Sequence, residues 1–370
     1  MQKIIVSVTN DLATDQRVHK VCTTLTNLDY DVTLIGRKLS KTLPINRPYR
    51  TLRMKLLFKK KFLFYAEYNI RLFLKLLFLK KDILLSNDLD TLLPNFIISK
   101  LLRKKLVYDS HELFTEIPEL IDRPRIQKVW LSIEKTIFPK LKNVYTVNDS
   151  IASFYRNTYN VDVHVIRNIA KRLNTKTVNT VLADKIKGHK KMLILQGSGI
   201  NIDRGAEEAV KMMQYLNNII LYIIGSGDVF ENLKKLRTSL KLEDKVFIKD
   251  KVPYTELMEY TKIADLGLSL DKPTNLNYEY SLPNKVFDYI QAQTPLLVSN
   301  RKEVAHLVTE NKIGLVIDNH EPKKLADVVN KLFSDKKQYQ HWKENLVIAA
   351  EKYNWESESE KLNVIFKELK

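Results

Sequence analysis

A chain of 370 residues exceeds what one ordinary hydrophobic core serves, so two domains are expected. Its 44% apolar content supplies a large core, and its single cysteine, Cys22, excludes a disulfide framework and suits a reducing cytosol. The first ten residues carry too short an apolar run for a signal peptide, and the net charge of +18 calls for an anionic partner.

Lys3–Val8 reads as a strand, and a polar loop from Thr9 to Thr14 leads into a helix with Val18, Val21, Cys22, Leu25 and Leu28 on one face. Asn10, Asp15 and Arg17 lie in or just after that loop, where they serve either an acceptor molecule or helix capping. Asp31–Gly36 is the next strand. From Arg50 to Lys81 the chain holds ten Lys or Arg and one acid, Glu67, interleaved with Leu, Phe and Tyr. No window there has 18 apolar residues without charge, so a membrane-spanning helix is not expected. A basic amphipathic segment in the headgroup plane of an anionic membrane fits this composition best. The other readings are a core-packing helix with snorkelling lysines and a nucleic-acid surface. The chain has no zinc-finger spacing, RNP-like aromatic pair or helix-turn-helix text, so nucleic acid is not an expected partner.

Asp82–Ser86 and Lys105–Tyr108 read as strands around a helix, Thr91–Leu102. Asp88-Leu89-Asp90 has the form of a metal-binding D-x-D, but it runs straight into that helix, so capping is the expected role and no metal is called for. His111 and Glu112 follow a strand, and Thr115 stands where a zinc motif needs a second histidine. At a strand's carboxyl end the pair suits sugar hydroxyls; the alternative is a cap or a satisfied core histidine. Asn143–Val147 and Val161–Ile166 are two more strands, with helices over Gln127–Leu141 and Ser150–Tyr159. Strand–helix alternation of this kind means a parallel sheet covered on both faces.

Lys171–Lys190 is polar and basic and reads as a linker. The alternation then restarts: strand Lys191–Gln196, helix Arg204–Tyr215, strand Ile219–Ile224, helix Val229–Leu240, strand Lys245–Ile248, helix Glu256–Ile263 and strand Asp265–Ser269. Gly197-Ser198-Gly199 follows the first of these strands, but its third glycine, Gly205, comes too late for a dinucleotide fingerprint. What remains is a glycine-bearing loop with Arg204 at a helix mouth, able to bind a diphosphate or to be a surface turn. Gly225-Ser226-Gly227-Asp228 reads as a tight turn and helix cap. In Tyr278–Asn300 a polar, aromatic loop meets a helix opening at Pro283, then a strand, Leu296–Val298. Ser281, Asn284 and Lys285 sit at the helix mouth, with Asp288 one turn on. Unpaired N–H groups plus a lysine suit phosphates and the carboxylate suits ribose; an ordinary capped helix is the alternative. Gly314–Ile317 is the last strand, with helices to the end. Two Rossmann-like halves follow, with ligands expected at the carboxyl ends of the strands, in a cleft between them.

In this order the residues resemble a retaining glycosyltransferase of the GT-B fold, family 4, along nearly the whole chain. Asp15-Gln16-Arg17-Val18 resembles the family's D-x-R-V, and Val107 to Leu113 its Y-D-x-H-E-L. Gln196-Gly197 with Arg204-Gly205 is similar to its diphosphate loop, and Leu282-Pro283-Asn284-Lys285 with Asp288-Tyr289 to its P-x-K-x-x-E-Y helix. Trp355 resembles the aromatic that opens the last helix. The resemblance implies that Arg204 and Lys285 bind the donor diphosphate, Asp288 the ribose and His111 the transferred sugar. It implies donor contacts from Gly197, Gly199, Glu279, Ser281, Leu282, Pro283 and Asn284, and acceptor contacts from Asn10, Asp15, Arg17 and Glu112. Two positions depart from the pattern. Tyr280 stands where a first glutamate is usual, with Glu279 beside it, and Gly199 replaces a common extra arginine.

The expected layout is an acceptor-binding domain over 1–170, a linker over 171–190, a nucleotide-sugar domain over 191–350, and a helix over 351–370 packing back on the first domain. The expected activity is metal- and cofactor-free transfer of a hexosyl group from a nucleotide diphosphate sugar to a hydroxyl, on a glycan or lipid-linked acceptor for surface polysaccharide. The expected place is cytoplasmic, peripheral on the inner membrane face through Arg50–Lys81. A nucleotide-sugar epimerase of the same fold and a non-catalytic basic membrane-surface protein are the alternatives.

Overall fold

The computed structural model describes residues 1–13, 15–39, 44–173 and 178–369; Thr14 and part of the expected linker lie outside them. The chain divides into two units, Met1–Asn168 with Glu358–Lys370, and Ile169–Ser357.

In the first unit the strands are β1 (Lys3–Asp11), β2 (Asp31–Arg37), β3 (Arg50–Met54), β4 (Ile83–Asn87), β5 (Lys105–Ser110), β6 (Asn143–Thr146) and β7 (His164–Val165). They form one parallel sheet in the order β3-β2-β1-β4-β5-β6-β7. The order reverses direction between β1 and β4, which opens a crevice at their carboxyl ends. β1 runs to Asp11, so Thr9 and Asn10 are strand residues, where the sequence suggested loop. The next helix, α1 (Gln16–Asn27), turns Val18, Val21, Cys22 and Leu25 inward. At the other end of the chain, the Tyr30 hydroxyl donates to the Phe366 carbonyl at 2.7 Å, tying the final segment to this unit.

The basic stretch resolves into two elements. β3 is an edge strand that the sequence reading missed, and α2 (Lys61–Phe78) crosses from it to β4. Phe64, Tyr68, Leu72 and Leu76, four residues apart, bury one stripe of α2. Phe62, Leu63, Ile70, Leu74 and Phe78 stay exposed on its other sides. Lys81 is buried and donates to the Leu79 carbonyl, and Arg50 to Met54 belong to the sheet, so the exposed basic surface is narrower than Arg50–Lys81. Among the described residues no helix is long and apolar enough to cross a membrane. The helix α3 (Leu89–Leu101) then leads to β5.

The second unit has β8 (Lys191–Gly197), β9 (Ile219–Gly225), β10 (Val246–Asp250), β11 (Leu266–Ser269), β12 (Leu296–Ser299) and β13 (Gly314–Ile317). Its parallel order is β10-β9-β8-β11-β12-β13, with the reversal between β8 and β11. Thr180–Ile186, inside the expected linker, is a helix. Arg204 lies in the loop before the helix Ala206–Met212, not in it. Tyr278 and Glu279 end a short helix, Leu276–Glu279, where loop was expected, and Pro283 caps the helix Asn284–Gln291 from outside.

Candidate functional site

Each unit gathers its charged groups at its own reversal of strand order. In the second unit the loop after β11 places Asp271, only 2% exposed, between two cations. Its Oδ1 takes a bond from the Arg204 guanidinium at 3.0 Å, and its Oδ2 lies 3.6 Å from the Lys285 ammonium. The Ser269 hydroxyl donates to the same Oδ2 at 3.2 Å. Arg204 also stacks over the Tyr278 ring, 4.0 Å from its centroid. Burial and the neighbouring Arg204 pull the Lys285 pKa below the ordinary lysine value, while Asp271 opposes the shift. Asp271 itself is held below the usual carboxylate range by Lys285 and Arg204 in spite of its burial.

Backbone geometry fixes where Arg204 begins. Gly205 has φ +74, and a Cβ there would fall 2.4 Å from the Leu270 carbonyl oxygen, so only glycine lets this loop lie against the strand extension that carries Asp271. The glycine loop Gly197–Gly199 is braced in turn by the turn after β9. Ser226 N donates to the Gly197 carbonyl at 3.1 Å, and Ile200 N to the Ser226 carbonyl at 2.9 Å. A Cβ on Gly225 would sit 1.7 Å from that Gly197 oxygen, which gives Gly225 to Asp228 a bracing role beyond a cap. Around Gly199 the space is open.

Other residues expected at the donor side are engaged within their own unit. Asp288 accepts from Gln196 Nε2 at 3.0 Å and from the Tyr254 hydroxyl at 2.9 Å, so a ribose would have to share or replace those partners. Glu279 is ion-paired with Arg301, on the loop after β12, and Lys302 lies over the Tyr280 ring. The Ser281 hydroxyl donates to the Tyr278 carbonyl, Leu282 packs partly buried on the core, and Asn284 is exposed.

In the first unit the β1/β4 crevice carries a different arrangement. His111 Nδ1 lies 3.1 Å from Asp88 Oδ2, and its Nε2 lies 3.3 Å from Asp109 Oδ2 and 3.2 Å from Asn87 Oδ1. Burial works against a charged ring, yet Asp88 and Asp109 raise its pKa well above the ordinary histidine value. Asp88 makes no side-chain cap on α3, contrary to the sequence reading; its carboxylate accepts from the His111 backbone N–H at 2.8 Å instead. Arg17 is 3% exposed and grips Asp109 through two bonds, of 3.0 and 2.6 Å, with a third to the Ile166 carbonyl. An acceptor contact would have to share these partners. Asp15 caps α1 through Val18 N, and Asn10 Nδ2 donates to the same carboxylate at 3.0 Å. The Glu112 carbonyl accepts from the Ser110 hydroxyl.

Asp90, unremarked in the sequence beyond its D-x-D, is buried and accepts from the Thr9 hydroxyl at 2.5 Å. Burial, with Asp88 nearby, pushes its pKa up to about 7. The folded chain therefore holds a proton there that the unfolded chain releases near the usual 3.8, and stability falls as pH rises between these values. Relative to the native chain, Asp90→Asn should gain stability with pH across this window, by up to about 4 kcal/mol at roughly 1.4 kcal/mol per unit. Denaturation midpoints at pH 5 and pH 8 check this; an equal difference at both would exclude Asp90 as the cause.

The residues that sequence reasoning passed over, Asp271, Arg301 and Asn87, end or follow strands. Asp271 was the most findable, standing two residues past the apolar run Leu266–Ser269 at the switch in strand order.

The family model described as Glycosyl transferases group 1 matches residues 181–346, and that described as Glycosyltransferase Family 4 matches residues 15–170. No curated protein matches the chain. Among solved structures, sucrose-phosphate synthase from Thermosynechococcus elongatus has a TM-score of 0.79 at 15% identity, covering 100% of this chain and 99% of that one. Anabaena HepE in complex with UDP has a TM-score of 0.72 at 12% identity over 100% of both chains. WaaG, a glycosyltransferase involved in lipopolysaccharide biosynthesis, has a TM-score of 0.67 at 14% identity over 97% of this chain and 98% of its own.

Proposed function

The chain belongs to the glycosyl transferases group 1 and has the GT-B fold, and from that premise we propose that it moves a hexosyl group from a nucleotide diphosphate sugar to a hydroxyl with retention of configuration. The observation that carries this reading is the convergence of Arg204, from a loop, and Lys285, from the first turn of a helix, on one buried carboxylate. Breaking the sugar–phosphate bond loads negative charge onto the diphosphate, and two fixed cations stabilise that charge more in the transition state than before it. The leaving phosphate oxygen is the proposed acceptor of the hydroxyl proton, and the reading assigns no metal or cofactor. Gly197 and Gly199 lend a close backbone approach; the likeness to HepE in complex with UDP and with UDP-glucose supports a uridine nucleotide first.

Thermal denaturation with UDP-, GDP- and ADP-sugars tests the donor. A ligand at a hundred times its Kd adds about 2.7 kcal/mol of stability, and no shift with any of them would remove the enzyme reading. Product analysis then separates transfer from epimerisation, which alters the donor with no acceptor added.

The proposed acceptor is a lipid-linked glycan of surface polysaccharide, reached from the inner membrane face. Support comes from the approach to α2, where Lys59 and Lys60 lead into Lys61 beside exposed Phe62 and Leu63. Each such charge is worth about 1 kcal/mol at an anionic surface. Replacing the three lysines with glutamine should therefore cut binding to phosphatidylglycerol vesicles roughly a hundredfold, read by co-sedimentation at low salt. Equal sedimentation with zwitterionic vesicles would argue against the basic face.

A further inference from the structure

We propose that Asp271 is a positioning residue of the donor site: its one carboxylate sets the spacing of Arg204 and Lys285 and maintains the charge on Lys285 beside that arginine. The proposal rests on the diphosphate reading above and adds a residue to it.

The argument starts from what two neighbouring cations do to each other. Arginine does not titrate in proteins, so when a guanidinium and an ammonium are held close in a poorly solvated place, the lysine is the group that gives way. Lys285 is in that position. Its side chain is only 10% exposed, and Arg204 adds like charge to the penalty of burial. From the elements packed around it, Asp271 is the group that counters both. The nearest carboxylate on its own helix, Asp288, is turned to Gln196 and Tyr254. Asp271 is also well placed to hold a geometry. It stands two residues past β11, is 2% exposed, and gives one oxygen to each cation, with Ser269 steadying the oxygen on the lysine side. A catalytic residue touches substrate; Asp271 instead acts through two that do.

The test reads pH dependence, which a purely structural role would not move. Calorimetric titration of the native protein with UDP, GDP and ADP at pH 7.5 comes first. Absence of binding by all three defeats the donor reading itself. With the tightest of them, affinity is then compared at pH 7.5 and pH 9.0, where ligand titration is common to all variants. The native protein should keep its affinity within about threefold. Asp271→Asn should lose at least tenfold over the same interval, because Lys285 discharges. In a Lys285→Arg background the same substitution should add no pH dependence, since arginine keeps its charge. Asp271→Asn following the native profile, or losing tenfold with arginine at 285 as well, overturns the proposal. Should Asp271→Asn fail to fold by circular dichroism, Asp271→Ser, smaller and still able to accept a hydrogen bond, gives the same comparison.

Discussion

Arg204→Ala and Lys285→Ala should each weaken nucleotide binding about ten- to a hundredfold, and each should lower kcat/KM for sugar transfer further. Charge-assisted hydrogen bonds are worth about 1.5–3 kcal/mol, and roughly 1.4 kcal/mol is a factor of ten in affinity. The extra loss in turnover follows because the diphosphate gains charge as the glycosidic bond breaks, so a fixed cation matters most at that moment. Arg204→Lys should recover only part of the loss: it restores charge but not the planar guanidinium that bonds Asp271 Oδ1 and stacks on Tyr278. The pair should not behave additively, since losing both cations leaves Asp271 buried without a counter-ion and lowers stability as well. Calorimetric titration and circular dichroism on the same samples separate the effects. Unchanged transfer in the double variant would end the enzyme assignment.

Arg17→Met should be the most destabilising single change in the first unit, costing about 3–5 kcal/mol. Asp109 is fully buried, and Arg17 supplies two of its bonds. Without the guanidinium, Asp109 keeps His111 as its cationic neighbour, and the Ile166 carbonyl loses a donor. For a unit of this size that amounts to a fall of roughly 10 °C in its melting transition. Scanning calorimetry checks it, and a change below about 1 kcal/mol would mean that the pair is balanced by its own desolvation. Arg17→Lys should rescue little, because a single ammonium cannot span both carboxylate oxygens and the carbonyl.

Fold class was legible because short continuous apolar runs such as Met192–Leu195 alternate with helical stripes such as Val18, Val21, Cys22 and Leu25. β3 escaped because Arg-Thr-Leu-Arg-Met carries the charge of a sheet edge and reads as part of the basic run that follows. Arg204 and Lys285 were legible by residue type at loop–helix junctions. The carboxylate joining them was not, because no local pattern ties Asp271 to a loop arginine 67 residues before it and a helix lysine 14 after it in sequence. Arg17 was legible only as an acceptor or capping candidate, because no local pattern shows that strand order brings it against Asp109, 92 positions away, where burial makes it a clamp.

One consequence of the β1/β4 crevice concerns where a proton can travel. Asp88 and Asp109 raise the His111 pKa well above the ordinary histidine value, which favours the ring with a hydrogen on each nitrogen, and Asp88, Asp109 and Asn87 stand within reach of both. A ring so occupied has no lone pair with which to deprotonate an attacking alcohol. In that form it serves as a fixed positive charge and not as a proton acceptor.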